Sequence, residues 1–510
     1  MLEEERKYDV DPQFALPDLT AALPARARVV PRPPVSLRAT YYDTTDLRLA
    51  RAGASLRFRR GDEEPWTVKL PTHVPGIRHE ISRTGPPGAI PDELAGLVTG
   101  YTRGAPLSAA AVLRTTRRVY EVRGPAGELL AELDDDLVAV LDGGTVRSRF
   151  REVEVERHEG GRKLLNRIGD VLSAAGAVSG EFLPKHVRAL EATGPADLTP
   201  PTGRLADGAD AGQVVTEAIR VDIGRMLAHD PLVRLGTDLP DGDTAVHQMR
   251  VGCRRLRTDL RTFRTLLDPV WADELRAELS WIADALGGAR DVEVLRARLS
   301  RTAAVDPLSP LDSDAVATFD AELAARHSAA LAALAEAMSG KRYLALLDRL
   351  VAAAAAPRLA ADRAAEPARE LLPRLAGKPW RRLMDGSDGV VAAGSLDPLG
   401  PDHEWHNVRI RAKRARYATE AVAAVAGGSA SGLARKVAQA QELLGEHQDA
   451  VIAAETWLSI AGSDPGNHTL AVTAGRLVER ERAVIREVRA RFPDAWAAVS
   501  RRRKRCEWLP

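Results

Sequence analysis

The sequence predicts an α+β protein in which a β-sheet region precedes an all-α region. Short runs with strand alternation are separated by Gly and Pro turns before about residue 195, whereas nearly all of the later sequence has helical periodicity. The strand-like runs are 54–60, 66–70, 117–122, 128–136 and 150–156. A repeated pair of motifs in the later region predicts two duplicated helical-bundle halves.

Composition limits the classes of protein that fit. Of 510 residues, 45% are hydrophobic and 28% are charged, so the chain can form hydrophobic cores and is not globally disordered. The formal net charge is +1, and any anion site must therefore come from local clustering of cations. Two cysteines without metal-ligand spacing, no apolar N-terminal leader and no long apolar run predict a cytoplasmic protein without a membrane span.

Shifts in composition predict the domain boundaries. A Pro-, Gly- and Asp-rich stretch at 193–212 indicates a linker, and a Gly-rich stretch at 385–401 indicates a connector within the helical region. The predicted domains are a β domain at 1–192, a first helical half at 213–384 and a second helical half at 402–500. A basic tail follows at 501–510, and its basic run 501–505 is expected to be disordered.

The helical region contains an internal repeat. The pattern H-x-x-R-[VI]-x-x-[KR]-R-x-R begins once at His247 and again at His406. A second shared motif, L-G-x-x-[RQ]-D, begins at Leu286 and at Leu444, which is nearly the same distance downstream in each copy. Two motifs that recur in order and at matching spacing indicate a duplication.

Charged residues share one face of nearly every predicted strand. The residues in these faces are Glu3, Glu5 and Lys7; Arg57 and Arg59; Lys69; Glu132, Asp134 and Asp136; and Glu152, Glu154 and Glu156. An amphipathic strand with its polar face in water explains any single case. The whole set favours a closed sheet with its charged face inward, as a polar tunnel. Such an interior requires counter-charge: phosphate suits the cations, and Mg²⁺ or Mn²⁺ suits the carboxylates.

These strands resemble the CYTH domain of the triphosphate tunnel metalloenzyme family. The matching motifs are E-x-E-x-K from Glu3, Y-Y-D-T from Tyr41, L-R-F-R from Leu56, W-T-V-K-L-P from Trp66, E-x-E-x-E from Glu152 and K-H-V-R from Lys185. The resemblance covers about residues 1–192. About residues 210–500 resemble the CHAD domain, the conserved histidine α-helical domain, and CYTH followed by CHAD is a familiar order.

The CYTH resemblance implies an eight-stranded antiparallel tunnel that binds triphosphate-type substrates with a divalent metal. It implies that the metal ligands are Glu3, Glu5, Asp136, Glu152 and Glu154. It implies that the phosphate-binding residues are Lys7, Arg57, Arg59, Lys69, Arg117 and Lys185, with Glu3, Glu5 and Lys7 as the catalytic set. Asp136 is preferred over its neighbours Asp134 and Asp135 for its spacing to Glu132. Arg114 and Arg117 have opposite parity, so a regular strand cannot point both inward.

Each repeat forms a basic stripe on its helix. The stripes are His247, Arg250, Arg254, Arg257 and Arg261 in the first copy, and His406, Arg409, Lys413 and Arg416 in the second. A solvated helix face is one explanation of such a stripe, and local hydrogen bonding is one explanation of the histidines. Asp259 is the only acid between His247 and Arg264, however, which favours a polyanionic ligand. The stripes contain few aromatic residues, so nucleic acid is not expected.

Three functions remain open at this point. The first is a metal-dependent inorganic triphosphatase or polyphosphatase whose helical domain holds the polymer. The second is a non-catalytic polyphosphate-binding or granule-targeting protein, as the CHAD resemblance implies. The third is action on an organic triphosphate such as ATP or thiamine triphosphate, including adenylate cyclase chemistry. The intact E-x-E-x-K and E-x-E-x-E motifs favour the enzyme.

Overall fold

The structure is a computed structural model, and it describes residues 2–72, 74, 76–179, 184–192, 194, 197, 205, 208–237, 239 and 242–509. The chain divides into two compact units, Met1–Leu198 and Thr199–Pro510. It is 57% helical and 19% strand, and the predicted α+β class is confirmed. The nine strands of its sheet all lie in the N-terminal unit.

The N-terminal unit is a closed antiparallel barrel. Its strands are β1 (Leu2–Val10), β2 (Arg28–Pro31), β3 (Val35–Asp43), β4 (Ser55–Arg60), β5 (Trp66–Pro71), β6 (Ile77–Arg83), β7 (Ser108–Arg123), β8 (Leu129–Asp142) and β9 (Thr145–Arg157). Eight of them close in the order β7-β3-β4-β5-β6-β1-β9-β8, because β7 also pairs with β8. Strands β2 and β3 pair with successive stretches of β7. The predicted eight-stranded tunnel is therefore confirmed.

Short helices accompany the barrel strands. They are α1 (Arg48–Arg51), α2 (Asp92–Leu97), α3 (Thr99–Thr102), α4 (Arg162–Ala174) and α5 (Lys185–Leu190). Val153 and Val155 of β9 and Leu133 of β8 pack with Leu165 and Ile168 of α4, and all five side chains are fully buried. Each such burial contributes about 1.5–3 kcal/mol, so α4 fixes the apolar face of these strands outward. The alternate residues of the same strands must then face the barrel interior.

Helix α5 meets the inner side of the barrel. Its Ala189 packs in an apolar cluster with Leu113 of β7 and Val138 of β8. The ring of His186 stacks on Tyr41 at 5.0 Å between centroids, and its Nε2 lies 3.0 Å from the Ala54 carbonyl oxygen. Burial lowers the pKa of His186 to about 3, so this ring is neutral. These contacts fix the start of α5, where Lys185 lies.

The C-terminal unit is built from ten helices in the described part of the chain. They are α6 (Ala211–Leu235), α7 (Ala245–Thr262), α8 (Pro269–Ala303), α9 (Ser313–Ser339), α10 (Lys341–Ala355), α11 (Ala361–Ala364), α12 (Ala368–Asp385), α13 (Asp402–Ala421), α14 (Ala423–Gly462) and α15 (His468–Arg503). The repeated motifs lie on α7 and α8 in the first copy and on α13 and α14 in the second. Helix α7 packs against α8, α13 packs against α14, and α7 also contacts α13.

The C-terminal tail differs from the prediction. Helix α15 continues to Arg503, and beyond it Cys506 and Leu509 are buried. The expectation that the basic run 501–505 is disordered is therefore wrong, because it continues α15 and the residues Cys506 and Leu509 that follow it are buried. Among the helices that the structure describes, none combines the length and the apolar character that crossing a bilayer requires.

Candidate functional site

Strand register places the predicted tunnel residues side by side. Lys7 of β1 lies opposite Glu154 of β9, which lies opposite Asp134 of β8. In the next row Glu152 lies opposite Asp136, which lies opposite Arg117 of β7. Residues directly opposite in an antiparallel pair project from the same face of the sheet. The interior therefore carries adjacent rows of carboxylates and cations.

Two buried lysines contact the carboxylates of β8 and β9. The Lys185 Nζ atom lies 2.6 Å from Asp136 Oδ2 and 3.3 Å from Glu152 Oε1, and it also pairs with Glu154. Lys7 pairs with Glu154, and its Nζ lies 3.9 Å from Glu152 Oε1. Burial alone lowers a lysine pKa, but the surrounding carboxylates raise the pKa of both lysines above the usual value. Both ammonium groups are therefore charged.

Arg117 and its ion pairs show which side chains of β7 and β8 face the barrel interior. Its Nε and Nη2 donate to Asp136 at 2.9 and 2.7 Å, and it also pairs with Asp134. Arg114 is exposed instead, so Arg117 is the residue of the two that faces inward. Asp134 and Asp136 both face inward, whereas Asp135 pairs with Arg151. Burial raises the pKa of Asp134 to about 7, since Arg117 compensates that carboxylate only in part.

A second ionic group surrounds Lys69. Its Nζ lies 2.7 Å from Glu3 Oε2 and 3.0 Å from Glu80 Oε2, and Arg57 Nη2 lies 3.9 Å from Glu80 Oε1. Burial raises the pKa of Glu3 to about 7. Burial alone would raise the pKa of Glu80, but the nearby cations Lys69 and Arg57 outweigh burial and lower this pKa to about 2. Arg59 pairs instead with Asp62 in the turn after β4, so its ion pair is not with these tunnel carboxylates.

Strand β6 contributes inward-facing residues that sequence reasoning missed. Arg78 lies opposite Glu3 in the β1–β6 register, and Glu80 lies opposite Lys69. Arg78 is buried, and this burial lowers its pKa despite the nearby Glu5 and Glu3. The strand could have been identified from its alternation, in which one face carries Ile77, His79 and Ile81 and the other carries Arg78 and Glu80.

The donor chemistry of the tunnel suits a hard divalent cation. Its carboxylates offer only oxygen atoms. Two of these, Glu152 Oε1 and Asp134 Oδ1, are buried and accept no hydrogen bond from the described residues, although the ammonium of Lys185 lies 3.3 Å from Glu152 Oε1. Lysine and arginine side chains pair with Glu3, Asp136 and Glu154. Within the described ranges, no group of three or more acids, histidines or cysteines has the arrangement of a metal site. Carboxylate oxygens that could bind a metal are thus present, but lysine and arginine side chains form ion pairs with them.

The two basic stripes of the C-terminal unit meet at the contact between α7 and α13. Burial and the nearby cations Arg409, Arg254 and Arg250 lower the pKa of Lys413 to about 6. Arg250 Nη1 donates to Asp291 Oδ1 at 3.0 Å. Among the described residues, Arg254, Arg409 and Lys413 form no ion pair within 4.0 Å, and the Nε atoms of both arginines are buried without hydrogen bonds. We call Arg250, Arg254, Arg409 and Lys413 the α7–α13 cluster.

The remaining stripe residues lie outside this cluster. Arg416 Nε donates to Glu420 Oε1 at 2.7 Å, so its charge is compensated. His406 Nδ1 lies 2.6 Å from Gln448 Oε1, whereas His247 Nε2 lies 3.9 Å from Asp243 Oδ2. Burial lowers the pKa of His247. Corresponding residues of the two repeats therefore have different partners.

The charged barrel interior and the duplicated basic helices define the chain as a tunnel protein with a helical extension, and it belongs to the family in which a CYTH domain precedes a CHAD domain. The CYTH domain matches residues 1–178 and the CHAD domain matches residues 217–458. These domains are associated with triphosphate and polyphosphate, and tunnel metalloenzymes generally use divalent cations.

The chain is similar over almost its whole length to uncharacterized protein Rv2226 of Mycobacterium tuberculosis (strain ATCC 25618 / H37Rv). The identity is 32% over 511 residues, covering 94% of this chain and 93% of the relative. Among solved structures, PptA from Streptomyces chartreusis is 25% identical, with 57% of this chain and 100% of that chain covered and a TM-score of 0.47. The CHAD domain from the plant Ricinus communis is 22% identical, with 59% and 96% covered and a TM-score of 0.44.

Proposed function

We propose that the barrel hydrolyses inorganic triphosphate or polyphosphate with a divalent metal, and that the helical unit binds the polyphosphate chain. The observation that carries this proposal is the meeting of predicted phosphate-binding cations with predicted metal-binding carboxylates inside one closed barrel. Lys7, Lys185 and Arg117 all contact Glu154 or Asp136 there. Structural ion pairs alone rarely justify so many buried charges, because their desolvation is costly.

The cations of the barrel would hold the phosphate groups. Lys7, Lys185 and Arg117 project from three different elements toward the same space, and Lys69 and Arg57 line its other side. Each of them can donate hydrogen bonds to phosphate oxygens and stabilise the charge that develops on the transferred phosphoryl group. Exclusion of water from the interior would strengthen these hydrogen bonds to phosphate.

The carboxylates would hold the metal and handle the proton. Glu3, Glu5, Asp136, Glu152 and Glu154 would bind Mg²⁺ or Mn²⁺, which supplies charge neutralisation and Lewis acidity when bound. In hydrolysis a water oxygen bonds to the terminal phosphorus, and the bridging P–O bond breaks. The water proton would pass to a tunnel carboxylate that does not hold the metal.

The α7–α13 cluster supports polymer binding by the helical unit. Three of its four cations form no ion pair in the described part of the chain, and burial with mutual repulsion lowers the pKa of Lys413 to about 6. Uncompensated cations so close together destabilise a fold, and a dense phosphate polymer would neutralise them. Both repeats contribute residues, which explains why the basic motif is duplicated.

A non-catalytic polyphosphate-binding protein is the second candidate. One observation favours it: most tunnel carboxylates are held by lysine or arginine, and the described residues contain no preformed metal cluster. Such a protein would bind polyphosphate in both units and would associate with polyphosphate granules.

Release of phosphate from tripolyphosphate, long-chain polyphosphate and ATP, with Mg²⁺ or Mn²⁺ and with EDTA, tests the enzyme proposal. We expect metal-dependent release from the inorganic substrates. Arg117→Gln should reduce it, whereas Arg118→Gln should not, because Arg118 is an exposed neighbour on the outer side of β7. If the unmodified protein releases no phosphate from any of the three, the enzyme proposal fails and the binding protein stands.

A further inference from the structure

The basic face of α7 continues beyond the α7–α13 cluster. Arg254, Arg257 and Arg261 follow one another at i, i+3 and i+7, so they project from the same side of the helix. Arg257 and Arg261 form no ion pair within 4.0 Å among the described residues. Arg261 lies in the last turn of α7, where the helix ends near other arginines.

Three further arginines lie around Arg261, each on a different helix. They are Arg276 of α8, Arg382 of α12 and Arg414 of α13. Helix α7 packs against α8, and α12 packs against α13 and contacts α7, so helices from both repeats enclose this end. Arg411 Nη1 donates to the Arg382 carbonyl oxygen at 2.8 Å, which holds the end of α12 against α13.

Nearby carboxylates balance only part of the positive charge of these arginines. Arg276 Nη1 pairs with Asp273 at 2.9 Å, but its Nε is buried without a hydrogen-bond partner in the described chain. Arg382 Nη2 lies 3.7 Å from Oδ2 of Asp388, which is exposed. Arg414 forms no ion pair within the described ranges. Burial and the surrounding arginines lower the pKa of Arg414 to about 10. The fold itself gains nothing from bringing these like charges together.

We propose that Arg261, Arg276, Arg382 and Arg414 form a second phosphate subsite, and that one polyphosphate chain runs along α7 from the α7–α13 cluster to this subsite. The inference rests on the proposed polyphosphate binding. Arg254 and Arg261 are about 10 Å apart along the helix axis, because seven residues rise 1.5 Å each. Arg257 lies between them on the same face and bridges the two groups of cations. A long chain therefore meets more cations than a triphosphate does.

The subsite is tested in the full-length protein with Arg382→Gln/Arg414→Gln. We expect its affinity for long-chain polyphosphate to fall about tenfold and the slope of log Kd against log salt to fall by about two, since two phosphate contacts are lost. Tripolyphosphate affinity should not change. The matched control is Arg374→Gln/Lys378→Gln, which removes two exposed charges from the same helix α12.

A second variant guards against misfolding of the first. Arg261→Gln changes one exposed side chain, and it should lower the salt slope by about one. If both variants bind long-chain polyphosphate with the same slope as the control, the subsite does not exist. If single-stranded DNA of matched charge competes equally well, the assignment to condensed phosphate fails. Absence of polyphosphate binding by the unmodified protein would instead overturn the proposed function itself.

Discussion

Arg250 donates a hydrogen bond from Nη1 to Asp291 Oδ1 at 3.0 Å, and this contact joins the two repeated motifs of the first helical half. In the second half the corresponding residues are Arg409 and Asp449, and no direct hydrogen bond joins them. Burial raises the pKa of Asp449, and Arg409 and Lys413 oppose that rise. In both halves, the acid of the second motif therefore lies near the cations of the first. These two acids limit the net positive charge of the α7–α13 cluster.

Asp291→Asn should strengthen polyphosphate binding, because it releases Arg250 from its partner. The exposed pair contributes about 0.2–1 kcal/mol, so we expect Kd to fall by about 1.4- to 5-fold. Calorimetric titration with long-chain polyphosphate measures the change. Asp284→Asn is the control, since Asp284 is an exposed acid on the same helix. An equal gain in the control would mean that only overall charge matters.

Binding of polyphosphate should take up a proton at Lys413. Burial and the facing arginines lower its pKa to about 6, so the amine is mostly neutral slightly above neutral pH. A bound polyanion favours the charged form, and affinity should therefore fall as pH rises above about 6. Titrations in buffers of different ionisation enthalpy count the protons. Lys413→Arg should bind without this uptake; uptake that persists in it comes from another group.

Lys413→Gln should stabilise the protein while weakening polyphosphate binding. The folded pKa of Lys413, about 6, lies below its unfolded value, so between about pH 6 and 10 the folded state holds fewer protons than the unfolded state. The resulting cost is present at neutral pH and disappears as pH approaches 10. We expect Tm at neutral pH to rise on the order of 2–4 °C. A lower Tm would mean that the side chain supports packing instead.

Glu5→Gln and Lys69→Ala should impair turnover by different routes. Glu5 is a buried carboxylate, and its loss should raise the metal concentration that turnover requires. In the proposed function Lys69 binds phosphate, so its loss should raise KM or lower kcat at saturating metal. Glu4→Gln is the control for Glu5, because Glu4 pairs with Arg157 on the outer side of β1. Identical metal dependence in all variants would contradict the ligand role of Glu5.

Glu481→Ala should destabilise the helical unit. Arg298 Nε donates to Glu481 Oε2 at 2.7 Å, and Thr302 Oγ1 donates to Glu481 Oε1 at 3.0 Å, which ties α8 to α15. Loss of the carboxylate leaves the buried Arg298 guanidinium with Glu446, 3.0 Å away, as its remaining acidic partner among the described residues, and the unmade hydrogen bonds cost about 1–3 kcal/mol. Denaturant unfolding measures the loss. Glu479→Ala, at an exposed pair on the same helix, should change stability little.

Strand alternation made much of the barrel predictable. Each of the five strand-like runs lies within a strand, except that the runs 54–60 and 128–136 begin one residue before theirs, and the parity of Glu152, Glu154 and Val153 separated the inner face from the outer face. Strand β6 was missed although it alternates, because His79 and Ser82 place polar groups on both faces. The contacts of Lys185 were also beyond reach, since they depend on how α5 packs against the barrel.

The repeats predicted the basic stripes but not their unequal partners. Arg416 pairs with Glu420, four residues later on the same helix. The corresponding neighbour of Arg257 is Arg261, so the first copy has a further cation where the second has an acid. That difference is visible in the sequence. The meeting of α7 with α13 is not, because a repeat describes each half and not how the halves pack.

The ion pairs inside the closed barrel should couple the binding of phosphate to the binding of a divalent cation. The lysine side chains of the barrel form ion pairs with its carboxylates, as Lys185 does with Asp136 and Glu152. If a phosphate takes over Lys185, as the proposed function requires, Asp136 keeps only Arg117 and Glu152 keeps only the more distant Lys7 as a cationic partner among the described residues, so the affinity of these carboxylates for a divalent cation should rise. By thermodynamic linkage the cation raises the affinity for phosphate by the same factor. Under the proposed function, phosphate and the divalent cation should therefore bind more tightly together than either does alone.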